Sequence, residues 1–180
     1  LGINWQRFLP DAVFLCPNAP EVCSISPQGF QWFDLSSEKE EVILEKSLLA
    51  ENKLSLFLDQ ILENYQLNLD KIALVGFSQG CMISIQTALK KKDSINSLIG
   101  YSGKIINQKH LSKNIKSKPQ IFLMHGTEDN IVSPNNLLEA KEYLKTQGIK
   151  IKTKLFKDCE HRIPNEGVSL GLGFLRKNLL

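Results

Sequence analysis

The spacing of apolar positions changes several times along the chain, and each change predicts an element. Residues 11–17 (DAVFLCP) form a short apolar run closed by proline, which predicts a buried strand ending at a sheet edge. Residues 18–36 mix Pro20, Pro27 and Gly29 with Phe30, Trp32 and Phe33, and predict an irregular aromatic loop that packs against something. From Ser37 the spacing becomes helical. Ala50, Leu54, Phe57, Ile61 and Tyr65 recur every three or four residues behind an S-x-x-E capping box made by Ser37 and Glu40. The run from Ile72 to Val75 reads as a strand covered on both faces, and Met82, Ile85, Gln86 and Leu89 mark the helix after it.

The alternation then repeats. Residues 95–103 and 118–126 read as strands, the second entered through Pro119. A helix with Ser133 as N-cap and Pro134 at its first position presents Leu137, Leu138 and Leu144. Residues 150–156 alternate as an edge strand does, and residues 164–180 form a terminal helix interrupted by glycines. Strands alternating with helices predict the α/β class: a mostly parallel sheet flanked by helices on both faces, in a single domain over residues 1–180.

Composition narrows the function classes. The balance of 22 basic against 19 acidic residues leaves a net charge of +3, too modest for a nucleic-acid footprint. Cys16, Cys23, Cys81 and Cys159 are scattered without a C-x-x-C pair, which signals neither a zinc ribbon nor a disulfide framework. Reduced thiols fit a cytoplasmic protein. No apolar run reaches the length of a membrane span, and the opening residues lack the regions of a signal peptide. The chain opens on Leu1, so targeting stays open.

Chemistry enters at the junction of the third predicted strand and its helix. GFSQG, residues 76–80, matches G-x-S-x-G: a sharp strand-to-helix turn holds Ser78 in a strained conformation, and Gly76 and Gly80 are expected to lack side chains for that reason. The helix start directs the Gln79 N–H toward any oxyanion formed beside Ser78. The plain alternative is a glycine-rich βα turn. A nucleotide-binding turn is a further rival, but GFSQG has neither the G-x-G-x-x-G spacing nor a P-loop lysine.

A serine nucleophile needs a base and a group that orients it. His110 lies in a lysine-rich loop and reads as a solvated histidine, and His125 ends a strand, where backbone hydrogen bonds can hold an inward imidazole as a structural feature. His161, in the loop DCEHRIP before the last helix, is the candidate base, against the alternative of an exposed loop histidine. Glu128 and Asp129 both follow a strand end, and Asp129 is the chosen acid. The order Ser78, Asp129, His161 is the chain order of α/β-hydrolases. Cys159 lacks a partner pair at metal-binding spacing, so no metal and no cofactor are expected.

Taken together, GFSQG, HGTEDNIV and the EHRI loop, with PNAP and QWFD upstream, resemble the phospholipase/carboxylesterase family of α/β-hydrolases that includes acyl-protein thioesterases. The resemblance implies an α/β-hydrolase fold, Ser78 as nucleophile, Asp129 as orienting acid and His161 as base. It also implies an acyl ester or thioester substrate, whether lipid, small ester or acylated protein, with Trp32 and Phe33 lining an acyl pocket unless they are plain core. The basic stretch from Lys104 to Lys118 is compatible with peripheral contact to anionic lipid, though a solvated loop is the commoner explanation. Two departures stand out. Glu160 replaces the family's usual small residue before the histidine, and nothing matches the H-G-x-G type loop that supplies a second oxyanion N–H. N-terminal strand or strands of the fold are therefore expected to be missing from these residues. One lost oxyanion donor costs roughly 10²–10³ in turnover. A catalytically silent binding protein on the same fold is the alternative reading.

Overall fold

The computed structural model describes residues 1–24, 26–37 and 39–179. Its centre is a four-stranded parallel sheet of β3 (Ala73–Phe77), β4 (Ser97–Tyr101), β5 (Gln120–Gly126) and β6 (Ile151–Phe156), lying side by side in chain order. An alternating pleat sends successive side chains to opposite faces. Leu98, Ile121 and Leu123 thus pack with Ile85, Ala88 and Leu89 of α3 (Gln79–Lys90) and Leu137, Ala140 and Leu144 of α5 (Asn135–Thr146). Ile99, Tyr101, Phe122 and Met124 pack on the other face with Trp5 of α1 (Gly2–Gln6) and Leu175 of α6 (Asn165–Leu179). Because the sheet advances in one direction, right-handed crossovers put α3 and α5 on the same side. The fold is that of the α/β class, with helices on both faces as expected.

A third cluster joins α2 (Glu40–Tyr65) to α3: Ala50, Leu54 and Leu58 bury against Phe33, Met82 and Ile83. The helix appears where its periodicity placed it, but the capping box does not form. Lys39 is the N-cap, the Ser37 hydroxyl instead accepts the Lys39 N–H at 3.2 Å, and Glu40 Oε1 accepts from Asn107 Nδ2 at 2.8 Å. At α5 the N-cap falls on Pro134, one residue later than expected, although the Ser133 hydroxyl accepts the Asn135 N–H at 3.4 Å, and Leu138 points outward. α6 is continuous despite its glycines. A Cβ on Gly171 would run into the Tyr101 hydroxyl and stand 3.0 Å from the Trp5 ring, so the missing side chain is what lets α6 lie this close to the sheet. Tyr101 Oη then donates to the Gly167 carbonyl at 2.9 Å.

Two expectations fail at the front of the chain. Residues 11–17 run without a strand partner among the described residues. Their alternation is real, since Ala12 and Phe14 reach the α6-side core while Val13 is 66% and Leu15 43% exposed, but alternation without a neighbouring ladder does not make a strand. Conversely, the aromatic loop is more regular than its composition suggests, because β1 (Glu21–Cys23) and β2 (Ser26–Gln31) pair as an antiparallel hairpin. β3 also departs from its reading as a strand covered all round. It borders the sheet, with Val75 38% and Phe77 37% exposed, and β6 borders the other side as its alternation predicted.

Candidate active site

All four strands of the sheet run parallel, so the loops after their carboxyl ends share one rim, the usual place for a site in an open α/β sheet. Ser78 follows β3, Ser102 follows β4, Asp129 lies three residues past β5, and His161 lies in the loop after β6.

The turn at Ser78 is strained in the way the pentapeptide requires. Ser78 has φ 52° and ψ −119°, its N–H extends the ladder to the Tyr101 carbonyl at 2.9 Å, and its own carbonyl already accepts the Met82 N–H at 3.1 Å. A left-handed φ costs a non-glycine residue of order 1–3 kcal/mol, which the surrounding ladder and helix must offset. The two glycines are not equivalent. A Cβ on Gly76 would fall inside the backbone of Gly80 and Cys81, whereas one on Gly80 would meet only Trp32 Nε1, at 3.7 Å. The expectation that both must lack side chains therefore holds for Gly76 and is corrected for Gly80. Cys81 packs beneath the turn, and burial pushes its thiol up to about 12, so it is a neutral packing group.

Asp129 and His161 meet directly. His161 Nδ1 donates to Asp129 Oδ2 at 2.8 Å, which leaves Nε2 free to act as a base. The imidazole is 17% exposed and tilts over the ring of Phe77, the residue before Ser78, at a centroid distance of 4.7 Å. Among the described residues no hydrogen bond joins the Ser78 hydroxyl to the imidazole. Such bonds are often long without substrate and tighten in the complex. Burial of Asp129 works against its charge, yet hydrogen bonds from the Val132 N–H, His161, the Ile131 N–H and the Ser102 hydroxyl outweigh it and hold the carboxyl below its usual range. Asp129 is therefore held as the carboxylate anion.

The Gln79 N–H belongs to the first turn of α3, whose amides have no acceptor within the helix and so face the rim. Its side chain does something the sequence did not announce: Oε1 accepts the Trp32 N–H at 3.0 Å and Nε2 donates to the Phe33 carbonyl at 2.9 Å, clamping the aromatic loop onto the Ser78 turn. Asp34 adds a second tie through Lys46 Nζ at 2.8 Å. Gln79→Ala is expected to lower stability by about 1–3 kcal/mol, read as a lower denaturation midpoint with unchanged slope.

Other sequence candidates separate cleanly. Trp32 is half-buried over the start of α3, a position open to a substrate. Phe33 is fully buried among Ala50, Leu54 and Met82, so its place is the core and the acyl-lining expectation is withdrawn for it. His110 sits in α4 (Gln108–Ser112), 3.3 Å from Lys90 Nζ at the far end of α3, about 18 Å along that helix from Ser78. Glu128 and Glu160 are exposed, and Cys159 is buried in the α6-side core. Ser102, at φ 48° on the same rim, escaped the sequence reading; its only signal was a polar residue at a strand's carboxyl end.

Comparison with known proteins agrees with this geometry. A family model for Phospholipase/Carboxylesterase matches residues 3–179, and the chain belongs to that family of α/β-hydrolases. The crystal structure of esterase PE8 superposes with a TM-score of 0.94 at 32% identity, covering 99% of this chain and 84% of that one. Acyl-protein thioesterase 1 homolog 1 of Dictyostelium discoideum is 24% identical over 173 residues, 92% of this chain and 76% of that protein. Esterase YpfH of Escherichia coli (strain K12) is 23% identical over 177 residues, 96% and 73% of the two chains.

Proposed function

We propose that this chain is a serine hydrolase of carboxylic esters or thioesters, working through Ser78, His161 and Asp129 and an acyl-enzyme. The observation that carries the reading is the Asp129–His161 hydrogen bond at 2.8 Å, with the imidazole lying over the neighbour of a serine held at positive φ. His161 Nε2 takes the hydroxyl proton as Ser78 Oγ bonds to the acyl carbon, and returns it to the leaving alcohol or thiol. The Gln79 N–H supports the oxyanion. Water, deprotonated by the same imidazole, then attacks the acyl-serine, and the carboxylic acid leaves. Names of the relatives, esterase and acyl-protein thioesterase, fit the same acyl chemistry.

The test combines covalent capture with turnover. A fluorophosphonate is expected to add once to the native chain, at Ser78 by peptide mapping, and p-nitrophenyl esters of graded acyl length are expected to be hydrolysed. Hydrolysis with the adduct on another residue overturns the assignment of Ser78, and neither adduct nor hydrolysis favours a silent binding protein.

A further inference from the structure

His125 lies one residue before the end of β5 and is 1% exposed, yet it touches the same carboxylate that holds His161. Its Nε2 lies 2.8 Å from the Val132 carbonyl and 3.1 Å from Asp129 Oδ2. Both neighbours are acceptors, so this nitrogen carries a hydrogen, aimed at the Val132 carbonyl with Oδ2 as second acceptor. Nδ1 is buried without a partner among the described residues. An unprotonated Nδ1 tolerates that position, whereas the N–H of an imidazolium there would be a buried, unpaired charged donor. The geometry therefore fixes His125 as the neutral Nε2–H tautomer.

The contacts form a closed brace. The Val132 N–H donates to Asp129 Oδ1 at 2.9 Å and the Ile131 N–H joins it at 3.0 Å, while the Val132 carbonyl and Oδ2 share the His125 N–H. One oxygen of the carboxylate is thus pinned by two amides and the other is steered by an imidazole seated on the rigid end of a central strand. Turning the carboxylate away from His161 would break contacts on both oxygens at once.

We propose that His125 is a positioning residue for the hydrolytic reaction: as a neutral donor it keeps Asp129 Oδ2 facing His161 Nδ1, and through that bond keeps the base in its working tautomer. The proposal rests on the serine-hydrolase reading, and it differs from a role in holding backbone alone, because the donor hydrogen, and not the bulk of the ring, carries it.

Two substitutions separate donor from bulk. His125→Gln returns an N–H at similar reach, and His125→Leu fills the space without one. With a p-nitrophenyl ester, His125→Leu is expected to lower kcat about 10–100-fold with KM little changed, by analogy with the cost of losing the hydrogen-bond partner behind a metal-ligating side chain, and His125→Gln to recover most of it. In the unsubstituted protein, ¹⁵N spectra of labelled histidine are expected to show His125 as neutral Nε2–H, a readout that stands even if the leucine variant does not fold. A folded His125→Leu variant with unchanged kcat, a glutamine variant as impaired as a folded leucine variant, or a charged or Nδ1–H His125 each overturns the proposal. Absence of hydrolysis and of Ser78 labelling in the unsubstituted chain overturns the hydrolase reading instead.

Discussion

Asp129→Asn is expected to lower kcat about 10⁴-fold while leaving the protein folded, and the local hydrogen bonds say why the loss should be that large. Oδ1 accepts the Ile131 and Val132 N–H groups, so the amide oxygen of an asparagine will be held there. Its NH₂ must then face His161 Nδ1 and the His125 N–H. A donor opposite Nδ1 forces that nitrogen to become an acceptor and moves the ring proton to Nε2, the atom that has to receive the serine proton. The variant would keep its shape and hold the wrong tautomer. Steady-state turnover of an ester by folded variant checks it, and retention of more than about a tenth of wild-type kcat would remove Asp129 from the mechanism. The same carboxylate links stability to pH. Its folded pKa is depressed below the ordinary 3.8, so its contribution is present above that value and is lost as pH falls through the lower folded one. The stability gap between wild type and Asp129→Asn is therefore expected to narrow in acid.

The sheet and its rim were legible because each strand there is long on one signal: β4 and β5 are mainly apolar runs, buried throughout except at Gln120, and the three residues of the proposed triad each follow a strand end. Period and punctuation suffice for such elements. They fail where pairing decides the outcome. Ala12 and Phe14 alternate with Val13 and Leu15 as a strand would, but strand formation depends on a neighbour that local pattern does not contain. The hairpin of β1 and β2 was hidden for the converse reason, since Ser26, Pro27 and Gly29 suggest a loop while a neighbouring ladder overrides them. Ser37 and Glu40 spell a capping box, yet the helix starts at Glu40 itself with Lys39 as its N-cap, too late for the pair to span its first turn.

The site divides along the same line. The chemistry proposed for Ser78, Asp129 and His161 constrains residue type, so such candidates can be read from sequence. Ser102 and the side chain of Gln79 are visible only in the folded chain, because each joins segments far apart in sequence, and the contact of His125 with Asp129, only four residues on, depends on how the loop after β5 turns back, which local pattern does not give. His125 illustrates the gap: the expected backbone bond is present, to the Val132 carbonyl, and the functional neighbour is the second acceptor beside it.

The two glycines of GFSQG provide the other large effect, as a contrast within one pentapeptide. Gly76→Ala would put a methyl group into the backbone of Gly80, and neither side of that contact is a flexible side-chain end that can swing away. Either β3 must leave its register with β4, where Gly76 lies opposite Gly100, or the start of α3 must lift off the strand. Both routes disturb the Ser78–Tyr101 ladder bond that holds the positive φ. A loss of roughly 3–5 kcal/mol is expected, a large fraction of the stability of an ordinary domain, with Ser78 labelling lost alongside. Gly80→Ala makes only an ordinary contact with Trp32 and replaces glycine inside a helix with its best former. It is expected to fold with stability within about 1 kcal/mol of wild type and to keep its reactive serine. Denaturant melts and fluorophosphonate labelling of the two variants side by side decide the matter. Equal damage from both would mean that the strand-to-helix turn needs glycine at its second position for a reason other than space, and a tolerated Gly76→Ala would mean that the turn is not built as tightly as the close approach of β3 to α3 requires.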